Sequence, residues 1–179
     1  MKTTLSISII LLVFILFTNK TFAQSATTEA RFINVSYDLP FPGILPDNPL
    51  YLLKVLRDNA INFFITDSIK KAEYDLLMAD KRLISADALV DKKNYPLAIT
   101  TLGKSGNYFD RAIQLAAEAK FNDLNADPTL NNLYIASQKH QQIIYQMTLK
   151  TKGEVRYQLE LLQVRVKNFQ DTVDVIRSQ

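Results

Sequence analysis

A chain of 179 residues with no cysteine, a single histidine and a formal charge of +3 excludes several classes of function at once. It has no thiol nucleophile and no disulfide, and a zinc site would have to join His140 to carboxylates, none of which lies at helical spacing from it. Setting Lys2 and Lys20 apart with the N-terminal segment leaves 19 basic residues against 18 acidic, a net charge of +1, so the basic footprint of a nucleic-acid binder is absent.

The first 23 residues have the layout of a secretory signal: Lys2 near the start, the apolar run Leu5–Phe17, then polar Thr18–Ala23. Thirteen apolar residues make only about 20 Å of helix, where a bilayer core needs roughly 30 Å. A cut between Ala23 and Gln24 is therefore expected rather than an anchor, and contact with a membrane only through this segment if it stays uncut. No cysteine at the cut leaves no site for a lipid. Residues 24–36 read as a flexible leader that becomes ordered near Phe32–Tyr37.

Residues 37–51, YDLPFPGILPDNPLY, hold Pro40, Pro42, Pro46 and Pro49, four of the six prolines. Proline fixes φ and pushes the residue before it toward extended backbone, so residues 37–48 are expected to form a stiff strap that loses little entropy on docking. Phe41, Ile44, Leu45 and Tyr51 are its candidate buried side chains. Pro42-Gly43 supplies a turn, and Asp47-Asn48-Pro49 is placed to cap a helix over 49–65. That helix is apolar nearly all round, with Lys54, Asp58 and Asn62 as a narrow polar edge, the pattern of a helix lying in a groove.

Apolar residues then recur at steps of three and four. Ile69, Ala72, Leu76, Ala79, Leu83, Ala86 and Val90 mark a helix over 67–92 with Asp67 as its N-cap; Ala98, Leu102, Ser105, Phe109, Ala112 and Ala116 mark another over 94–121, opened by Asn94 and Pro96. The four-residue link Asp91–Asn94 makes the pair an antiparallel hairpin. Gly103 and Gly106, each costing roughly 1 kcal/mol against alanine, are expected where helices approach closely. Asp127-Pro128 opens a last helix, whose seams Leu130–Met147 and Val155–Ile176 join through 151 with a one-register stutter, while Lys150, Lys152 and Gly153 have the look of a C-terminal cap. One long helix over 128–178, bent near Gly153, is expected in preference to a reversal, and it leaves self-association through the C-terminal helix open. The fold class is all-α: one domain over 37–179, an antiparallel helical bundle with a long hairpin and an N-terminal strap.

No catalytic residue, metal site or cofactor is assigned. His140 falls on an apolar seam and is expected to be a hydrogen-bonded core histidine. Asp80, Asp87 and Asp91 are interleaved with Lys81, Arg82, Lys92 and Lys93, the pattern of a solvated helix face. The four glycines are too dispersed for a phosphate-cradling loop.

Pro42-Gly43-Ile44-Leu45-Pro46-Asp47-Asn48-Pro49-Leu50-Tyr51, followed by Leu53-Lys54 and Leu56-Arg57, resembles the PGxLPxxPLYxLKxLR opening of a bacterial extracytoplasmic domain family of unknown function. The matching structural positions are Pro42, Gly43, Leu45, Pro46, Pro49, Leu50, Tyr51, Lys54 and Arg57. The likeness continues through Lys70–Glu73 and Ala79–Leu83 to the pair Lys139-His140, with Gly103 and Gly106 as departures. It implies an exported, all-helical domain and brings no catalytic residues. The expected function is a protein-interaction or structural module of the cell envelope, with an envelope or cell-surface protein as partner. The alternative is a ligand- or stress-sensing, chaperone-like binder.

Overall fold

The structure, a computed structural model, describes residues 34–179; the signal segment and most of the leader lie outside the described residues. Five helices follow the strap: α1 (Tyr51–Phe64), α2 (Ser68–Asp91), α3 (Tyr95–Phe121), α4 (Asp127–Leu149) and α5 (Gly153–Ser178), with no strand among the described residues. The all-α bundle is as expected.

Local chemistry sets the helix ends. The Asp67 carboxylate accepts the Lys70 backbone N–H at 2.8 Å and caps α2. Asn94 occupies the N-cap of α3 without a side-chain cap bond, and Pro96 lies in the first turn. Asp127 falls inside α4 rather than capping it. There its charge favours the helix N-terminus, and its carboxylate meets Lys120 at 3.3 Å.

Residue pairs across the helices define the arrangement. Numbers fall on one helix as they rise on the other for Asp75 with Arg111 and Ala79 with Ser105, so α2 and α3 are antiparallel. The same holds for α4 and α5, through Tyr134 with Arg177 and Gln141 with Gln170. Numbers rise together for Glu73 with Thr129, Asp80 with His140 and Asp87 with Lys150, so α2 lies parallel to α4. Asn107 with Arg165 and Lys120 with Arg177 make α3 parallel to α5. Two antiparallel hairpins thus pack side by side.

The expectation of one long C-terminal helix is corrected, because the chain reverses at residues 150–152. A continuous helix over 128–178 would run about 75 Å, while α2 and α3 have only 24 and 27 residues. Half of its seam would have projected past the bundle into water. Folding back buries Leu159, Val166, Phe169 and Val173, each large apolar side chain contributing about 1.5–3 kcal/mol when fully buried. The turn is locally satisfied: Thr151 Oγ1 donates to the Met147 carbonyl at 3.0 Å, and Gly153 takes φ +59°. The Lys150 ammonium closes it onto α2, at 3.0 Å from Asp87 and 2.9 Å from Asp91.

The core follows the seams. Leu76, Leu83, Leu102, Phe109, Leu130, Leu133, Ile144 and Met147 are buried, interleaved with buried alanines at 72, 79, 86, 98, 112 and 116 that let α2 and α3 approach closely. Of the two interrupting glycines, Gly106 fits the close-approach reading, since a Cβ there would lie 3.0 Å from Arg165 Nη1 of α5. Gly103 does not, having nothing within 4 Å of that position.

Helix α1 is inside out. Its polar edge, Lys54 and Asp58, is buried, whereas Leu52, Leu53, Leu56, Phe63 and Phe64 are exposed. The groove-lying helix expected from its composition is therefore corrected: the apolar majority faces outward. Polar partners decide the orientation. Lys54 Nζ donates to the Pro42 carbonyl at 2.5 Å and the Ile44 carbonyl at 3.3 Å, and the Tyr74 hydroxyl donates to the Asp58 carbonyl at 2.9 Å.

Candidate functional site

The strap docks as extended backbone with a period of two: Val35, Tyr37 and Leu39 turn inward, and Asn34, Ser36 and Asp38 outward. Its ordered contacts thus begin within the stretch read as leader. Gln142 Oε1 accepts the Val35 N–H at 3.3 Å, and Lys139 Nζ donates to the Val35 carbonyl at 3.1 Å. The Tyr37 hydroxyl donates to Asp80 Oδ2 at 2.7 Å, and the other oxygen of Asp80 lies 2.7 Å from His140 Nε2. Burial, reinforced by the Asp80 carboxylate, pushes the Tyr37 phenol far above its ordinary value, so it remains a donor.

His140 is the hydrogen-bonded core histidine expected, with the Phe109 ring edge-on at 4.9 Å. The Lys139-His140 pair has a shared role that spacing alone did not indicate. Lys139 holds the strap directly, and His140 holds it through Asp80. Two readings of the α2 face are corrected: Asp80 and Arg82 are each 3% exposed, so neither belongs to a solvated surface. Asp87 and Asp91 do, sharing Lys150. The available signal was position. Asp75 and Arg82 stand seven residues apart, one step to the side of the seam through Ala72, Ala79 and Leu83, where a wide buried stripe would include them.

The signature residues converge on the strap–α1 junction. Pro42 supplies the carbonyl for Lys54, and Gly43 sits at φ +70°, a conformation that resists any side chain even though the nearest atom to an added Cβ, Lys54 Nζ, lies at an ordinary 3.7 Å. The Leu45 carbonyl accepts the Asn48 N–H at 3.0 Å, and Asn48 Oδ1 accepts the Leu50 N–H at 2.9 Å. Leu45 and Pro46 are half-buried, Pro49 and Leu50 exposed. Burial, together with the nearby Arg82 charge, pulls the Lys54 ammonium below the usual lysine range. Arg57 is exposed and pairs with Asp58 at 2.8 Å. The anchoring expected of Phe41 is overturned: it is 83% exposed, and Ile44 is exposed as well. Tyr37 and Leu39 pack on the core in their place, because the inward-facing half of the strap ends before the Pro42-Gly43 turn.

Tyr51 leads to a second cluster. Its ring lies 5.3 Å from the Arg82 guanidinium, which also lies 5.8 Å from the Tyr108 ring; Arg111 covers Tyr108 at 4.7 Å. A cavity of about 320 Å³ opens there between α1, α2 and α3. Among the described residues no group of three or more His, Cys, Asp or Glu could hold a metal ion, and no helix is long and apolar enough to cross a membrane.

No curated protein and no solved structure matches the chain. One family model does, described as Domain of unknown function (DUF5667), and its match over residues 43–155 runs from the Gly43 turn through α1–α4 into the first residues of α5. The strap turn, the inside-out helix and the Lys139-His140 clamp all lie within it, and the chain belongs to that family.

Proposed function

We propose that the protein is an exported interaction module of a bacterial cell envelope that binds a partner protein through the outward face of α1. The observation that carries this reading is the inverted helix. Leu53, Leu56, Ala60, Phe63 and Phe64 are exposed on 14 residues of helix, continuous with exposed Phe41. Monomeric proteins rarely leave so contiguous an apolar face uncovered. The spacing is that of anchors laid into a partner's groove, at i, i+3, i+7 and i+10. Lys81 flanks the groove beside Leu53, as does Arg57, whose charge Asp58 offsets in part; this favours a partner with acidic groups and opposes pairing of two copies. A lipid surface fits less well, because attraction to anionic headgroups takes several basic residues and Arg57 is the one exposed charge on α1.

The test is photo-crosslinking in the cell envelope from Leu56 and Phe63, with exposed Tyr157 on α5 as control. One discrete protein adduct from both α1 sites, lost on Leu53→Glu and absent from Tyr157, supports the reading. Adducts to lipid or to a second copy, or equal labelling from Tyr157, overturn it. Export is checked separately: mass spectrometry of the mature chain is expected to place its N-terminus at Gln24.

A further inference from the structure

Beneath α1, and independent of its outward face, lies a buried cation with no carboxylate bonded to it. Arg82 is 3% exposed, and its Nε and Nη1 are buried with no hydrogen-bond acceptor. Asp75 takes Arg111 at 2.6 Å, and Asp58 takes Arg57 at 2.8 Å through Oδ1; the Oδ2 of Asp58 is buried without a partner and makes no bond to Arg82. What answers the Arg82 charge is the faces of Tyr51 and Tyr108, a weak substitute for a paired anion. A buried guanidinium with orphaned donors costs stability, and a ligand that supplied the acceptors would relieve that cost.

The surroundings specify the ligand. The cavity of about 320 Å³ is lined by Tyr51, Asn59, Arg82, Lys104, Asn107 and Arg111 among others, and no carboxylate lines it. Asp75 offsets Arg111, which leaves Arg82 and Lys104 as two uncompensated positive charges. Asn107 Oδ1 already accepts from Arg165 at 3.0 Å, so its amide N–H groups remain to donate. Donors with a surplus of two positive charges match an oxyanion that carries about two negative charges near neutral pH, as a phosphate monoester does. A guanidinium presents its N–H groups in a planar fork suited to such oxygens. The volume exceeds that of a bare phosphate and leaves room for a small organic group against Val55 and Tyr51.

We propose that the cavity between α1, α2 and α3 is a binding site for a small molecule bearing a phosphate monoester, with Arg82 as the buried anion partner and Lys104 as the exposed one. Because Tyr51, Val55 and Asn59 form its α1 wall, an occupant would also fasten α1 to the hairpin.

The experiment is thermal melting and calorimetry of the full chain with inorganic phosphate, sulfate and glycerol phosphate, against chloride at matched ionic strength, and with vesicles containing phosphatidic acid, whose headgroup is a phosphate monoester. Saturable stabilisation by phosphate or glycerol phosphate beyond that of chloride is expected. Arg82→Met is expected to melt no lower than the parent without phosphate, since an unpaired buried cation is removed, and to lose the phosphate response. Exposed Lys104→Ala is expected to fold as the parent does and to bind phosphate about ten-fold or more weakly. Response to free phosphates without vesicle binding supports the site with a soluble ester as ligand. Vesicle binding that free phosphate competes away supports it with a lipid headgroup as ligand. Equal shifts in chloride, or a phosphate response unchanged in both variants, overturn it. So does an Arg82→Met variant that melts well below a parent indifferent to phosphate, since Arg82 would then be a structural partner of Asp58.

Discussion

At the scale of single residues, Asp80 joins three parts of the chain that no local pattern links: α2, the Tyr37 hydroxyl of the strap and the His140 imidazole of α4. Tyr37→Phe removes one of these bonds while keeping the ring. At pH 7 it is expected to cost about 1.5–3 kcal/mol, the usual worth of a hydrogen bond to a charged group. The loss should depend on pH. The folded phenol titrates above its unfolded value of about 10, so the folded state keeps a proton that the unfolded chain releases. The contribution is whole below pH 10 and drains away as the pH climbs above it. Lys54, Tyr51 and Tyr74 also have shifted values, but they are common to both proteins and cancel in the comparison. Denaturant unfolding of parent and variant at pH 7, 9 and 10.5 is expected to show a constant gap that narrows only at the last. A gap unchanged at pH 10.5 would place the tyrosine elsewhere.

At the scale of elements, the strap and the α4–α5 turn each carry a prediction. Deleting residues 34–48 removes the Tyr37, Val35 and Lys54 contacts together with the half-burial of Leu39, but no residue of any helix. Helical circular dichroism should stay near the parent's while the melting temperature falls clearly; an unchanged melting temperature would mean that the strap does not stabilise the bundle. At the turn, Gly153 holds φ +59° with open space around the site of a Cβ. Gly153→Ala therefore introduces backbone strain without a clash, an expected loss of about 1–2 kcal/mol, read from the shift in denaturation midpoint. Had α4 and α5 been one bent helix, alanine would have stabilised it by roughly 1 kcal/mol, so the sign of the effect decides.

For the whole molecule, stability rests on the seam shared by the two hairpins. Leu83 and Leu102 are 0% and 3% exposed, and truncating a buried leucine already costs about 2–5 kcal/mol of a total that is typically 5–15 kcal/mol. Leu83→Asp or Leu102→Asp adds a buried unpaired charge and is expected to abolish cooperative thermal unfolding. A sharp transition near the parent's would show that these leucines lie outside the core.

The sequence by itself determined the helices up to residue 121, the hairpin, the strap and the seams. Each of these is a local statement: spacing of three and four places residues on one face, proline restricts its own φ and its neighbour, and Asp67 caps the turn that follows it. Local patterns cannot say what a face meets. The steps Met147, Thr151, Val155 fit a one-register stutter in a continuous helix as well as a break between two, and only the length of the neighbouring helices makes reversal the way to bury the second seam. The composition of α1 defined a narrow polar edge but not its direction. The carbonyls of Pro42 and Ile44 and the hydroxyl of Tyr74 drew that edge inward. Arg82, in a run of charges beside Lys81, had the local pattern of solvent exposure; Tyr51 and Tyr108 arrive from two other helices and enclose it. Tertiary structure decided these three cases because the free energy of a buried polar group depends on partners distant in the chain, and periodicity carries no record of them.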